Sequence, residues 1–378
     1  MPSSEVDVAK LFDITGRVTA AVPFGDGHIN ETYRVAVDGG PRSGYLLQQI
    51  NTRVFTDPAG VMENIARVTN HIRGKCVEAG RDPDRHSLTV ISARDGARCV
   101  VDEHGRAWRM YLFIDRTVGL GVADSETTAR EGGRAFGEFQ RLLRDLPGAR
   151  LNETIPAFHN IDHRLEQFRA AVAEDPVARA RDTHREIDEY GTRAHAMREI
   201  LSAAEAGRIP ERIAHNDTKL NNVLIDEASG RAVCVIDLDT VMPGYAMYDF
   251  GDSIRTVSNT AEEDERDPGK VGFNLGYFTA FSEGFLGETA AFLTPDEIAL
   301  FPFAAKFFPY IMGLRMLTDF LNGDVYYKTR YPTHNLVRAR SQLALLRAME
   351  NRYDEMRAEI ARVSRACYIT NSRSSSRT

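Results

Sequence analysis

Lysine is scarce in this chain of 378 residues, supplying only six of its 47 basic side chains (Lys10, Lys75, Lys219, Lys270, Lys306 and Lys328). There is no basic surplus either, because the formal net charge is −7. Nucleic acid and anionic membrane surfaces call for a broad positive field, so this balance argues against both as partners. Cysteine is rare and scattered: Cys76, Cys99, Cys234 and Cys367 show no CxxC or other close ligand spacing, which argues against a disulfide framework or a zinc site. Long apolar runs are missing too. The most apolar stretch, FPFAAKFFPYIMGL at 301–314, contains Lys306 and two prolines and is shorter than the ~20 residues a bilayer requires. It reads as a buried helix. The opening MPSSEVDVAKLFDI carries acids where an export leader needs a basic and then an apolar segment. A cytoplasmic protein is expected, and the sequence is compatible with a monomer.

What is present is a 43% apolar content, enough for a sizeable core. Up to about residue 115, short β-branched runs (GRVTAAVPF, ETYRVAV, GYLLQQI, SLTVIS, AWRMYLFI) alternate with turn residues, the pattern of an antiparallel sheet. One helix interrupts them at 58–79, where Val61, Ile65, Val68 and Ile72 share a face. Beyond 115 helical spacing dominates, beginning with Ala135, Phe139, Leu142 and Leu146. Thr294, Pro295 and Glu297 form a capping-box start for a further helix. NVLID and RAVCVID, joined by EASG, read as a hairpin within the helical part. The reading divides the chain into 1–115, 116–364 and a polar, disordered tail at 365–378.

The chemistry concentrates in IAHNDTKLNNVLIDEASGRAVCVIDLDTVMPGYAMYDFGDSIR, residues 213–255. Phosphoryl transfer asks a protein for positioning and charge neutralisation rather than covalent work. A carboxylate orients the attacking hydroxyl and accepts its proton, while an amide oxygen and a second carboxylate hold Mg²⁺ on a triphosphate. Asp217, Asn222 and Asp237 fit these three roles. The hairpin returns Asp237 toward Asn222.

HNDTKLNNVLID followed by VIDLD resembles the aminoglycoside phosphotransferase and choline kinase superfamily, whose motif runs HxDxxxxN and then ID. PFGDGHINETY (23–33), YLLQQINTRVF (45–55), DLDTVMPG, DFGDSIR and RYPTHNLVR are similar to the bacterial N-acetylhexosamine 1-kinases. The resemblance implies an α+β, protein-kinase-like two-lobed fold: a small antiparallel-sheet lobe with one long helix, and a larger, mainly helical lobe. It implies ATP and Mg²⁺ as cofactors and an N-acetylhexosamine as the sugar substrate. It further implies Asp217 as catalytic base in contact with the sugar, Asn222 and Asp237 as metal ligands, and the loop Gly25, Asp26, Gly27 to Asn30 over the phosphates. His28, Asp252, Arg315 and Tyr326 are the expected sugar contacts, since a sugar pocket needs short polar partners beside an apolar wall.

Related kinases place a lysine on the third strand, where YLLQQI has Gln48 or Gln49. Gln48 is therefore the expected phosphate contact, with Arg53 as an alternative cation and Glu63 as the candidate partner on the helix. Each of these features also has a plainer structural reading. GDG alone is a hairpin turn, His215 is a structural histidine, and Asp249 and Asp252 cap the helix they precede. Arg315 snorkels or pairs with an acid such as Asp319, Arg255 pairs with a nearby carboxylate, and AEEDERDP at 261–268 is a solvated loop. The competing functions are a kinase of choline, homoserine or an aminoglycoside, and a nucleotide-binding pseudokinase.

Overall fold

The computed structural model describes residues 4–25, 29–40, 42 and 44–375, with side chains as far as Ile369. The chain divides into two compact units: Met1–Gly119 with Leu142–Pro156 and Asn222–Pro243, and Leu120–Arg141 with Ala157–Asn221 and Gly244–Thr378. The first unit is thus assembled from three segments, and the hairpin that sequence order assigns to the helical part belongs to it.

In the first unit a short helix α1 (Glu5–Ala9) precedes strands β1 (Arg17–Pro23), β2 (Glu31–Asp38) and β3 (Tyr45–Ile50). Helix α2 (Pro58–Glu78) follows, then the single turn α3 (Pro83–His86), β4 (Val90–Ile91), β5 (Val100–Val101), β6 (Ala107–Leu112) and β7 (Thr117–Gly119). The main sheet is antiparallel in the order β1-β2-β3-β6-β4, with β5 paired to β6. Its alternation works as expected: Val35, Tyr45, Leu47, Trp108, Met110 and Leu112 are buried with Val8, Ala9 and Phe12 around α1. Each fully buried aliphatic chain there contributes roughly 1.5–3 kcal/mol. The other face carries Thr32, Gln48 and Arg109, paired in register across β2, β3 and β6, and partners directly opposite share a face. Helix α2 buries Val61, Ile65, Val68 and Ile72, the periodic stripe read from sequence. The hairpin of strands Val223–Asp226 and Ala232–Val235 pairs with β7.

The second unit is mainly helical. Its helices include Ile161–Glu174, Ala246–Val257, Leu275–Thr289, Phe301–Leu321 and His334–Asn351. Helix Phe301–Leu321 is the apolar stretch of the sequence, buried along nearly its whole length. Among the described residues no helix is long and apolar enough to cross a membrane. Phe250 stacks on Phe301 with ring centroids 4.3 Å apart and meets Phe278, Phe281 and Phe285 edge-on. Gly251 makes the neighbouring contact possible, because a Cβ there would stand 2.5 Å from the carbonyl oxygen of Ala304 and 2.6 Å from the Phe308 ring. The capping box at Thr294 and Glu297 is formed in both directions. Helix Tyr353–Ser375 runs into the segment read as a tail, and its Arg362 pairs with both Glu283 and Glu359.

Candidate functional site

In the second unit the loop His215–Thr218 is fixed by carboxylates of helix Ala246–Val257. Asp249 accepts from the backbone N–H of His215 at 2.9 Å and of Asn216 at 2.8 Å, and also from the Gln140 amide. Asp252 accepts from the N–H of Thr218 at 3.0 Å. Ser253 Oγ donates to the Thr218 carbonyl at 2.9 Å. Asn216 adopts φ of +64°, a left-handed conformation that asparagine tolerates better than most residues. Its carbonyl bonds His159 Nε2 at 3.0 Å. The loop therefore presents Asp217 in one defined position.

Asp217 keeps 22% side-chain exposure, so a ligand has access to it, and its Oδ1 meets Lys219 Nζ at 2.9 Å. Burial acts to raise its carboxyl, but Lys219 and then His215 and Arg255 outweigh it and hold it below the ordinary value. An ionised carboxylate results. His215 is fully buried between Phe136 and Phe139, and its Nδ1 accepts the Asp217 N–H at 3.3 Å, the structural role expected of it.

Several sequence expectations change here. Asp249 and Asp252 lie inside helix Ala246–Val257, so neither caps it. Asp252 is 3% exposed, and its second oxygen takes Arg255 Nε and Nη2 at 3.1 and 3.0 Å. Its two oxygens thus serve the loop and Arg255. Arg255 also donates to Glu263 at 3.0 Å, and Arg338 holds Glu263 from the other side. The acidic run is accordingly anchored at Glu263 rather than simply solvated, because two helices each bring it an arginine. Burial raises the Glu263 carboxyl, yet Arg255 and Arg338 bring it down to about 2.

Arg315 does not pair with Asp319, which instead accepts the N–H groups of Tyr326 and Tyr327 at 2.8 and 2.9 Å. The Arg315 guanidinium lies 5.0 Å from the Phe158 ring and 5.8 Å from that of Tyr327. Arg164 is close by: burial, then the charge of Arg315, lower it to about 10. Tyr326 is exposed. Arg315, Phe158 and His159 thus form a continuous path to the Asn216 carbonyl beside Asp217, and neither Arg164 nor His159 was singled out from sequence.

In the first unit the backbone N–H of Ile236 donates to the carbonyl of Asn222 at 2.9 Å, so the residues at the open end of the hairpin are brought together. Asp237, next in the chain, is exposed and adopts φ of +60°, a conformation that persists in a non-glycine residue only when its surroundings enforce it. The Asn222 amide and the Asp237 carboxylate offer hard oxygen donors of the kind Mg²⁺ takes together with phosphate oxygens. The donor set fits. Among the described residues no three His, Cys, Asp or Glu side chains gather as a self-sufficient metal cluster.

Gln48 donates to Thr32 Oγ1 and accepts from Arg109 Nε, each at 3.0 Å. Arg109 is also ion-paired with Asp239. The other oxygen of Asp239 accepts from Asn30 Nδ2 at 2.6 Å, and Asn30 Oδ1 accepts the Asn51 N–H at 3.0 Å. Glu63 accepts from Asn152 at 3.2 Å, and Arg53 is exposed. Gly25 is exposed at φ of +75°, while Asp26, Gly27 and His28 lie outside the described residues. Arg109 went unremarked in sequence. A cation inside the otherwise apolar strand AWRMYL was the available signal, since a buried guanidinium requires an acid.

The profile of the phosphotransferase enzyme family (APH) matches residues 20–284. Among solved structures, an aminoglycoside phosphotransferase from Alicyclobacillus acidocaldarius is 13% identical with a TM-score of 0.56, over 92% of this chain and 95% of that one. Amicoumacin kinase hAmiN, solved with AMP-PNP, Ca²⁺ and Ami, is 14% identical with a TM-score of 0.56, over 90% and 92%. A microcompartment-associated aminopropanol kinase is 17% identical with a TM-score of 0.52, over 93% and 99%. At these identities the likeness is one of fold, and it bears out the α+β, protein-kinase-like architecture. The matched segment is more than half of the chain and runs from the first strand past the Asp217 loop and the hairpin, so the protein belongs to the phosphotransferase enzyme family and is a kinase of small molecules.

Proposed function

We propose that the protein transfers the γ-phosphoryl group of ATP to the anomeric hydroxyl of an N-acetylhexosamine, giving the sugar 1-phosphate. Asp217 accepts the hydroxyl proton as the oxygen attacks the γ-phosphorus, and the bond from that phosphorus to the β,γ-bridging oxygen breaks to release ADP. Asn222 and Asp237 would hold Mg²⁺, which when bound would supply charge neutralisation on the triphosphate. The observation that carries the catalytic part is the clamp of Asp249 and Asp252 on the backbone around Asp217, which fixes one ionised, accessible carboxylate.

The choice of a neutral sugar over an amino alcohol is supported by the sequence blocks and by charge. Arg315 already occupies the faces of Phe158 and Tyr327, with Arg164 nearby. A cationic substrate would want those aromatic faces for itself and would be repelled by both guanidinium groups. A carbonyl such as that of an N-acetyl group would be welcomed by them.

The test is incubation with ATP, Mg²⁺ and a panel of N-acetylglucosamine, N-acetylgalactosamine, choline, 1-amino-2-propanol, homoserine and an aminoglycoside, with the new phosphate located by NMR. Phosphate at C1 of an N-acetylhexosamine is expected. Phosphate confined to a primary hydroxyl, or turnover of the amines alone, would replace the sugar 1-kinase reading. Nucleotide binding without any product would favour the pseudokinase.

A further inference from the structure

The first unit contains a buried cation whose surroundings give it a task. Arg109 is 1% exposed, and a guanidinium keeps its proton wherever it is placed. Its fork is divided between two partners: Nε donates to Gln48 and Nη1 to Asp239. Gln48 is itself oriented, because its amide nitrogen donates to Thr32 across the strand pair, which leaves its oxygen for Arg109. Asp239 is likewise engaged on both oxygens, by Arg109 and by Asn30. Asn30 in turn accepts from Asn51 N–H at the end of β3, and Asn51 Nδ2 donates to the Ile29 carbonyl at 3.3 Å. The row on the sheet is therefore joined through Asp239 to the turn that follows Asp237 and to the chain just after the Gly25 loop.

The lysines of this unit do not compete for the role. Lys10 pairs with Asp7, and Lys75 with Asp145. Gln48, the expected phosphate contact, sets the orientation of Arg109. Two carboxylates two residues apart, Asp237 and Asp239, would repel each other and share any metal. With Asp239 held by a cation inside the unit, Asp237 stands at the exposed side of the turn.

Resting on the kinase reading above, we propose that Arg109 is a positioning residue for the metal–nucleotide part of the site. By fixing Asp239 between itself and Asn30, it excludes Asp239 from metal ligation and ties the Asp237 turn to Asn30 and the start of β2. Metal and triphosphate are thereby bound as one unit. The task requires a fork. A lysine ammonium keeps the charge but, as a single point, does not bridge Gln48 and Asp239 in the same geometry.

The experiment is fluorescence titration of the full-length protein with mant-ATP, in Mg²⁺ and in EDTA, for wild type, Arg109→Lys, Asn30→Ala and the double variant, each checked for folding by circular dichroism. In wild type, Mg²⁺ tightens mant-ATP binding. In Arg109→Lys this gain falls by about tenfold, while the affinity in EDTA moves less than about threefold. Asn30→Ala, which cuts the opposite side of Asp239, produces the same selective loss, and the double variant loses no more than either single change, as one linked device requires. A wild-type Mg²⁺ gain in Arg109→Lys overturns the proposal. So does an equal loss in Mg²⁺ and in EDTA, which would make Arg109 a structural cation only. If Arg109→Lys does not fold, Asn30→Ala alone decides by the same ratio. Wild-type protein that fails to bind mant-ATP at all would sink the kinase reading instead.

Discussion

The two units hold their functional residues by opposite means. In the second, buried carboxylates receive backbone N–H groups: Asp249 takes those of His215 and Asn216, and Asp252 takes that of Thr218. In the first, a buried guanidinium is held by side chains alone, Gln48 and Asp239. A backbone donor is present whatever residue occupies the loop, so the second arrangement depends on its acceptors. The first depends on every side chain in the chain of contacts. Loss of a part should therefore affect the fold in one unit and ligand coupling in the other.

The largest effect expected from this contrast is on stability. Asp249→Ala leaves two backbone N–H groups and the Gln140 amide without their acceptor in a buried place, and urea denaturation should show a loss of about 3 kcal/mol or more. A loss under about 1 kcal/mol would break the comparison, because the clamp would then be dispensable. Next comes Asp217→Asn, nearly isosteric and outside the clamp. It should keep the wild-type melting temperature while kcat falls by at least ~10²-fold. Normal turnover would remove Asp217 as the base.

The smallest effect concerns Glu263, where the clamp extends through Arg255 to the acidic run. Its carboxyl is depressed from 4.5 to about 2 in the folded protein, so its contribution is complete above pH 4.5 and is lost as pH falls toward 2. Because the side chain is 37% exposed, solvent screening keeps that contribution to at most ~1 kcal/mol. Thermal melts should show Glu263→Gln less stable than wild type at pH 7, with the gap narrowing below pH 4.5. A gap that does not change with pH would mean that Glu263 acts by packing and not by charge.

How much of this was readable from sequence follows from distance along the chain. The helix faces of α2 and Phe301–Leu321, the capping box at Thr294 and the hairpin are local patterns, and local physics produced them as read. The loop around Asp217 was legible as a motif because its residues are contiguous. The roles of Asp249 and Asp252 were harder. Their spacing from the loop was visible, but a sequence does not say that a helix starts at Ala246 and so places both inside it. The Gln48–Arg109–Asp239 group was hidden more deeply. Its members are separated by 61 and 130 residues and meet only through strand register and a tertiary ion pair. For the same reason a run of acids reads as solvated until the arginines that face it, Arg255 and Arg338, are placed by helix packing.

Gly251 carries a consequence beyond packing. It lies between Asp249 and Asp252 on a helix pressed against the backbone at Ala304. Any side chain there would lever the helix outward and withdraw both acceptors from the loop together. A lineage could thus lose activity at a position that touches no ligand and carries no polar atom. Reversion would then come from the opposing surface, by shrinking Phe308 or reshaping the helix at Ala304, rather than from the loop itself.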